Sequence, residues 1–144
     1  MILLDVNVLV YAARKDAIDH AQYQHWLETA LNGAEPVGIA AESLATVVRI
    51  TTHRKIWAQP LTHDQAFTFV DVVLSGRAAL VVEPGPDHWA GFERLCRVAD
   101  ARGNLVSDAW LATIALDHHA TLITTDRDFA RFPGLRWRHP LAKA

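Results

Sequence analysis

A single cysteine, Cys96, stands in this chain of 144 residues. No internal disulfide can therefore form, and its place in a helical apolar pattern makes it a small core residue suited to a reducing cytosol. No stretch reaches the roughly 20 apolar residues that a membrane span needs, so neither a transmembrane helix nor a membrane partner is expected. The apolar N-terminus has no basic residue ahead of it and is interrupted by Asp5 and Asn7, which argues against a secretory signal. Internal repeats and low-complexity linkers are absent. The eight histidines fall at no metal-ligand spacing, His118 and His119 being adjacent and divergent, and they read as surface residues. A net charge of −2 makes no global case for nucleic acid. With 51% hydrophobic and 21% charged residues the composition is that of a soluble globular chain, long enough for one domain over residues 1–144.

What is present is a set of acids at the ends of apolar segments. Asp5 closes the run Ile2-Leu3-Leu4, which reads as a buried strand. Asp126 and Asp128 follow a second such run, Thr121 to Thr125, and Asp108 reads as the opening of a helix that Ser107 or Asp108 itself begins. Ligands of open parallel sheets gather beyond the carboxyl ends of the strands, so Asp5 and Asp126 should meet at one sheet edge. Carboxylates held together repel one another, and a fold keeps such a cluster mainly to hold a cation. An all-oxygen donor set favours Mg²⁺, with Mn²⁺ as substitute, over zinc. Each acid taken singly has a plainer reading as a turn former or helix cap. It is their convergence that points to phosphate chemistry. The tail adds a basic margin, Arg127, Arg131, Arg136, Arg138 and Lys143 against Asp128 alone, compatible with phosphodiester binding.

Strand-like and helix-like segments alternate along the chain. Helices are expected from Asn7 to Arg14, from Asp19 as cap to a stop at Gly33, through Leu44, Val47 and Val48, after the capping box of Thr62 and Gln65 to Gly76, and from Asp87 to Ala101. Gly103-Asn104 should break the chain before the helix carrying Trp110, Leu111, Ile114 and Leu116. Further strands are expected at Pro36–Ala40, at Leu80–Val82 as a buried strand, and at Leu135–Trp137 as an edge. This alternation means a parallel sheet of four or five strands covered on both faces. Trp26 and Trp110 fall on helical core faces and read as packing, with Trp57 and Trp137 left open. Arg49, Arg54 and Lys55 are candidates for a phosphate-binding face, though a charged stretch after a helix is more often simply solvated.

Three motifs in register carry a family resemblance: Asp5-Val6-Asn7 after an apolar strand, Asp108-Ala109-Trp110-Leu111-Ala112, and Thr124-Thr125-Asp126-Arg127-Asp128-Phe129. Together they resemble the PIN-domain nucleases, and most closely VapC, the ribonuclease toxin of bacterial type II toxin–antitoxin pairs. Gly103 to Ser107 and Ala130 to Trp137 look like the mycobacterial branch. The resemblance covers essentially the whole chain and implies a three-layer α/β/α PIN-like domain and a Mg²⁺-dependent endoribonuclease. Carried over by position, Asp5 and Asp108 match the principal metal ligands and Asp126 the fourth acid, with Asp128 assisting. Asn7, Thr124 and Thr125 would orient these carboxylates. Glu42 lies seven residues before Arg49, where the family commonly has its glutamate some five before, and Leu44 occupies that register. Either Glu42 reaches the site from a shifted helix start, or the site runs on three or four aspartates.

Such a site would activate a water for in-line attack, leaving 5′-phosphate and 3′-hydroxyl ends without using a side-chain nucleophile. RNA as substrate follows from the resemblance, not from the acids. The resemblance also implies a homodimer in the cytoplasm, held inactive by a VapB-type antitoxin whose arginine enters the acidic pocket. The amphipathic helix Asp19 to Asn32 is the expected groove wall for that segment. Two other classes compete. A receiver-type phospho-acceptor needs a mid-chain strand-end aspartate and a lysine near the last strand, but Leu80-Val81-Val82-Glu83 has no aspartate and Lys55 and Lys143 are misplaced. A non-catalytic RNA-binding or protein-interaction relative is favoured only by the uncertain register of Glu42.

Overall fold

The computed structural model describes residues 1–143. Five short strands form one sheet in the order β3-β2-β1-β4-β5, every neighbouring pair parallel. The strands are β1 (Ile2–Leu4), β2 (Val37–Ala40), β3 (Ala79–Val82), β4 (Thr121–Ile123) and β5 (Trp137–Arg138). Six helices connect them: α1 (Val6–Ala13), α2 (His20–Leu31), α3 (Ala41–Thr51), α4 (His63–Leu74), α5 (His88–Val98) and α6 (Asn104–Asp117). A short 3-10 helix, Arg127–Arg131, follows β4. The chain builds outward from β1 to β2 and β3, then crosses to the other side of β1 for β4. The topological switch point, where such sheets place their ligands, therefore lies between β1 and β4.

Side chains alternate across the sheet because successive residues of a strand point to opposite faces. Ile2 and Leu4, with Val37, Ile39 and Ile123, join one buried cluster with Val8, Leu9, Tyr23, Leu27, Val47 and Val73 of α1 to α4. Leu3, Ala40, Val82 and Leu122 face the other way, into a cluster with Leu95, Ala109, Ala112, Ile114, Ala115 and Phe129 from α5, α6 and the 3-10 helix. The result is three layers, with both faces of the central strands covered. Among the described residues no helix is long and apolar enough to cross a membrane.

Local chemistry sets most boundaries. Thr62 and Gln65 form the expected reciprocal capping box on α4. Gly76 follows α4 where a Cβ would come within 2.8 Å of Leu31 Cβ, so the stop also lets α2 approach. Two expectations need correction. The α6 helix begins at Asn104, not at Ser107 or Asp108: Gly103, at φ 57°, is the entry turn itself. Asp108 accordingly sits in the second turn and caps nothing. The strand Ala79–Val82 is not buried along its length; Leu80 and Val81 are exposed because β3 is the sheet edge, with only β2 beside it.

Candidate active site

Beyond the carboxyl ends of β1 and β4 lies a cleft of about 780 Å³. Asp5, Asn7, Glu42, Asp108 and Asp126 all line it, together with Arg49 and Trp110. Asp5 arrives directly from β1, its backbone N–H donating to the Ile123 carbonyl at 3.0 Å, which ties it to the end of β4. It caps α1, Oδ1 accepting from Val6 N–H at 2.7 Å, while Oδ2 accepts from the Thr124 hydroxyl at 2.7 Å. The same Thr124 oxygen accepts from the Asp126 N–H at 3.0 Å. One fully buried hydroxyl thus fixes both strand-end acids. Asp126 Oδ1 in turn accepts from Asp128 N–H at 2.8 Å, and Asn7 Oδ1 from Thr125 N–H at 3.5 Å. Asp128 is exposed and does not line the cleft.

Two helices supply the rest. Because α6 starts at Asn104, the residues Asn104, Ser107, Asp108 and Leu111 fall at i, i+3, i+4 and i+7 and share the face that lines the cleft. On α3 the same periodicity puts Glu42, Ser43, Thr46, Arg49 and Ile50 on the opposite wall. Glu42 stands in the first turn of a helix that begins at Ala41, immediately after β2. That early helix start brings Glu42 to the cleft. Its Oε1 accepts a 2.7 Å hydrogen bond from Trp110 Nε1. Trp110 packs as expected, half-buried against the cluster under α5 and α6, and its indole N–H also reaches the cleft wall to meet an acid. The signal that locates it is spacing: Trp110 lies three residues after Ser107, next to the cleft-lining face of α6.

Burial raises the Asp5 carboxyl above its ordinary value, against the Thr124 and Val6 hydrogen bonds that lower it, and Asp126 raises it further. Asp108 is pushed up to about 6, first by desolvation and then by the charges of Asp5, Asp126 and Asp128. No hydrogen bond or cation offsets that repulsion at Asp108. The donors are all oxygens, the set a hard divalent cation takes. As placed, no three His, Cys, Asp or Glu side chains among the described residues stand close enough together to hold an ion. Asp5 has both oxygens engaged by hydrogen bonds, whereas Asp108 has none that lowers its pKa.

Other candidates fall elsewhere. Arg54 and Lys55 do not line the cleft, whereas Arg49 and Trp57 do. The Trp57 indole N–H donates to the Ile50 carbonyl at 2.8 Å and its ring lies under the Arg14 guanidinium at 4.1 Å, so it braces the wall. The α2 helix contributes nothing to the cleft lining; its apolar face is buried as Tyr23, Leu27 and Leu31. The histidines are not all surface residues. His88 is buried and bonded to Asp117, at Nδ1 to Oδ2 2.6 Å.

The chain as a whole is matched by known proteins in sequence and in fold. Residues 2–135 match the PIN domain family model, and the chain belongs to that family, among its VapC ribonucleases. It is 45% identical over 141 residues to ribonuclease VapC43 of Mycobacterium tuberculosis, covering 98% of this chain and 96% of that one. Ribonuclease VapC25 of the same organism is 39% identical over 140 residues, covering 97% and 99%. In solved structures the fold recurs in VapBC2 from Rickettsia felis bound to a DNA fragment from its promoter, with a TM-score of 0.71, 23% identity and coverage of 96% and 98%. It recurs too in Mycobacterium tuberculosis VapC20, described as a sarcin-ricin loop cleaving toxin, with a TM-score of 0.68, 16% identity and coverage of 94% and 99%.

Proposed function

We propose that this protein is the toxin of a type II toxin–antitoxin pair, a metal-dependent endoribonuclease that hydrolyses RNA phosphodiesters in the cytoplasm. The observation that carries the reading is the convergence of Asp5, Glu42, Asp108 and Asp126 on one cleft at the sheet's switch point. Full-length identity of 45% and 39% to proteins named ribonucleases supports RNA as the substrate.

Asp5, Asp108 and Asp126 would hold Mg²⁺, or Mn²⁺ in its place, with Glu42 completing the oxygen set. A divalent cation bound there supplies an acidified water as nucleophile and neutralises charge on the phosphate. The chain's own groups do the positioning. Thr124 holds Asp5 and Asp126 to one geometry, Trp110 holds Glu42, and Arg49 on the opposite wall faces the same space and offers a bidentate partner for a phosphate. Asn7 and Thr125 steady the loop between β4 and Asp126. None of the lining residues is a cysteine or histidine, so neither a thiolate nor an imidazole base is at hand in the cleft.

The partners follow from the same likeness. We assign a VapB-type antitoxin, on the strength of relatives solved as VapBC complexes, and a homodimer as the working state. An antitoxin arginine placed among these carboxylates would supply the charge that the cation otherwise brings. The deciding experiment incubates total RNA with the purified protein, in Mg²⁺ and in EDTA, and maps the ends. Mg²⁺-dependent cuts bearing 5′-phosphates, absent with Asp5→Asn, are expected. Cleavage indifferent to EDTA, or undiminished in Asp5→Asn, would overturn the assignment. RNA binding without any cleavage would leave a non-catalytic relative of the fold.

A further inference from the structure

Where α5 meets α6 the surface carries an aromatic cluster that the acidic cleft does not use. Trp89 is 68% exposed. It stands edge-on to Trp110, ring centroids 6.3 Å apart at 71°, and tilted against Phe92 at 5.6 Å. Phe92 meets Trp110 edge-on at 5.2 Å. Beneath them His88, 4% exposed, lies 4.1 Å from the Trp110 ring and parallel to Phe92. The His88 ring is held from behind: Nδ1 donates to Asp117 Oδ2 at 2.6 Å, and the same oxygen accepts from Gly85 N–H at 3.0 Å. The aromatic rings are therefore held by a hydrogen bond from a buried histidine to the far end of α6, before any ligand arrives.

This cluster is continuous with the cleft. Trp110 belongs to both, lining the acidic space and donating to Glu42 while its ring packs on Phe92 and Trp89. Around Trp89 the exposed residues are mostly polar, Asp87 at the N-cap and Glu93, Arg94 and Arg97 on α5, with the small Ala90 beside it and Val98 at the far end of the helix. A lone exposed indole in such surroundings is too small an apolar area for a stable protein interface. It suits a flat, sequence-tolerant π-face, which every nucleobase has.

We propose that Trp89, braced by Trp110 and Phe92, is a base-stacking subsite for an unpaired nucleobase adjoining the phosphate that is cut. The substrate is then single-stranded RNA, or a loop whose base can leave its stack. The inference rests on the ribonuclease reading. It assigns Trp89 to substrate binding, outside the acidic set.

The test uses Asp108→Asn protein as a non-cleaving parent and measures affinity for fluorescent single-stranded oligoribonucleotides. Adding Trp89→Ala should weaken binding at least about fivefold, since base–aromatic stacking is worth about 1–3 kcal/mol per base. Trp89→Phe should recover most of that loss. An abasic scan of the oligonucleotide should find one position where removing the base weakens the parent as Trp89→Ala does, with no further loss when the two are combined. Trp89→Ala within twofold of the parent overturns the subsite, as does a loss equal at every abasic position. So does an effect confined to oligomeric state or antitoxin affinity, which would make Trp89 a protein contact. A parent and wild type that bind no RNA at all would instead overturn the ribonuclease reading itself.

Discussion

The indole N–H of Trp110 donates to Glu42 Oε1 at 2.7 Å, joining two helices 68 residues apart in sequence across the mouth of the cleft. Glu42 in the first turn of α3 would otherwise be a solvated acid on an exposed rim. The bond restrains it at the cleft that Asp108 lines from the opposite wall. Glu42→Gln keeps an oxygen to accept that bond while removing the charge. Cleavage should fall by about tenfold or more with a higher Mg²⁺ requirement, the scale on which groups around a metal act. Metal titrations of RNA cleavage check this, and activity within a few-fold of wild type would leave the site to its aspartates.

Asp5→Asn, Asp108→Asn and Asp126→Asn should each lower Mg²⁺-dependent cleavage by more than about a hundredfold, exceeding the usual effect of supporting residues. Circular dichroism recorded on the same samples should show an intact fold. Asp128→Asn, an exposed position outside the cleft lining, should cost much less.

Metal-free stability should respond to Asp108 in the sense opposite to a structural acid. Its folded value of about 6 lies above the ordinary 3.8, so the native state binds the proton more tightly than the unfolded chain does. Stability from this group is present below about pH 4 and is lost as pH rises towards 6. In EDTA at pH 7, Asp108→Asn should melt higher than wild type by about 1 kcal/mol, allowing for solvent screening at the open cleft, and the gain should vanish by pH 4. Wild type should regain the difference with millimolar Mg²⁺, binding at a hundredfold excess over Kd adding about 2.7 kcal/mol. Thermal melts of the two proteins across pH, with and without metal, decide it. An apo variant that melts below wild type would make Asp108 chiefly structural.

Thr124→Val removes the hydroxyl shared by Asp5 and Asp126 and leaves the Asp126 N–H without its partner. A loss of about 1–3 kcal/mol in denaturant unfolding is expected. The activity of the variant should drop further than that loss explains when measured well below its melting point, because both acids lose their anchor.

Asp117→Ala should destabilise the fold by about 1–3 kcal/mol, since it strands His88 Nδ1 and the Gly85 N–H in a buried setting. Asp117→Asn, which retains an acceptor oxygen, should cost less. Equal losses in chemical denaturation would show that charge, not hydrogen bonding, is what the pair supplies.

The elements that depend on their own residues are legible without the fold. The apolar run Ile2–Leu4, the first three residues of the run Thr121 to Thr125, the capping box at Thr62 and Gln65, and the stop at Gly76 act over a few residues and are legible locally. Asp5 and Asp126 sit at strand ends by that same local logic, and parallel pairing of β1 with β4 brings them to one edge. What the tertiary structure alone decided is helix phase and neighbourhood. Packing of α6 on the sheet turns Asp108 towards the cleft and Trp110 to its wall. An early start for α3 brings Glu42 within reach of that indole. The starts of α3 and α6 are set where the preceding chain leaves the sheet or a left-handed glycine turn, at a cost offset by packing between layers. His88 is likewise indistinguishable from a surface histidine until α5 lies on α6, because only that packing places Asp117, 29 residues away, against its Nδ1. Likewise, the exposure of Leu80 and Val81 follows from β3 being the edge, a property of strand order rather than of an apolar run.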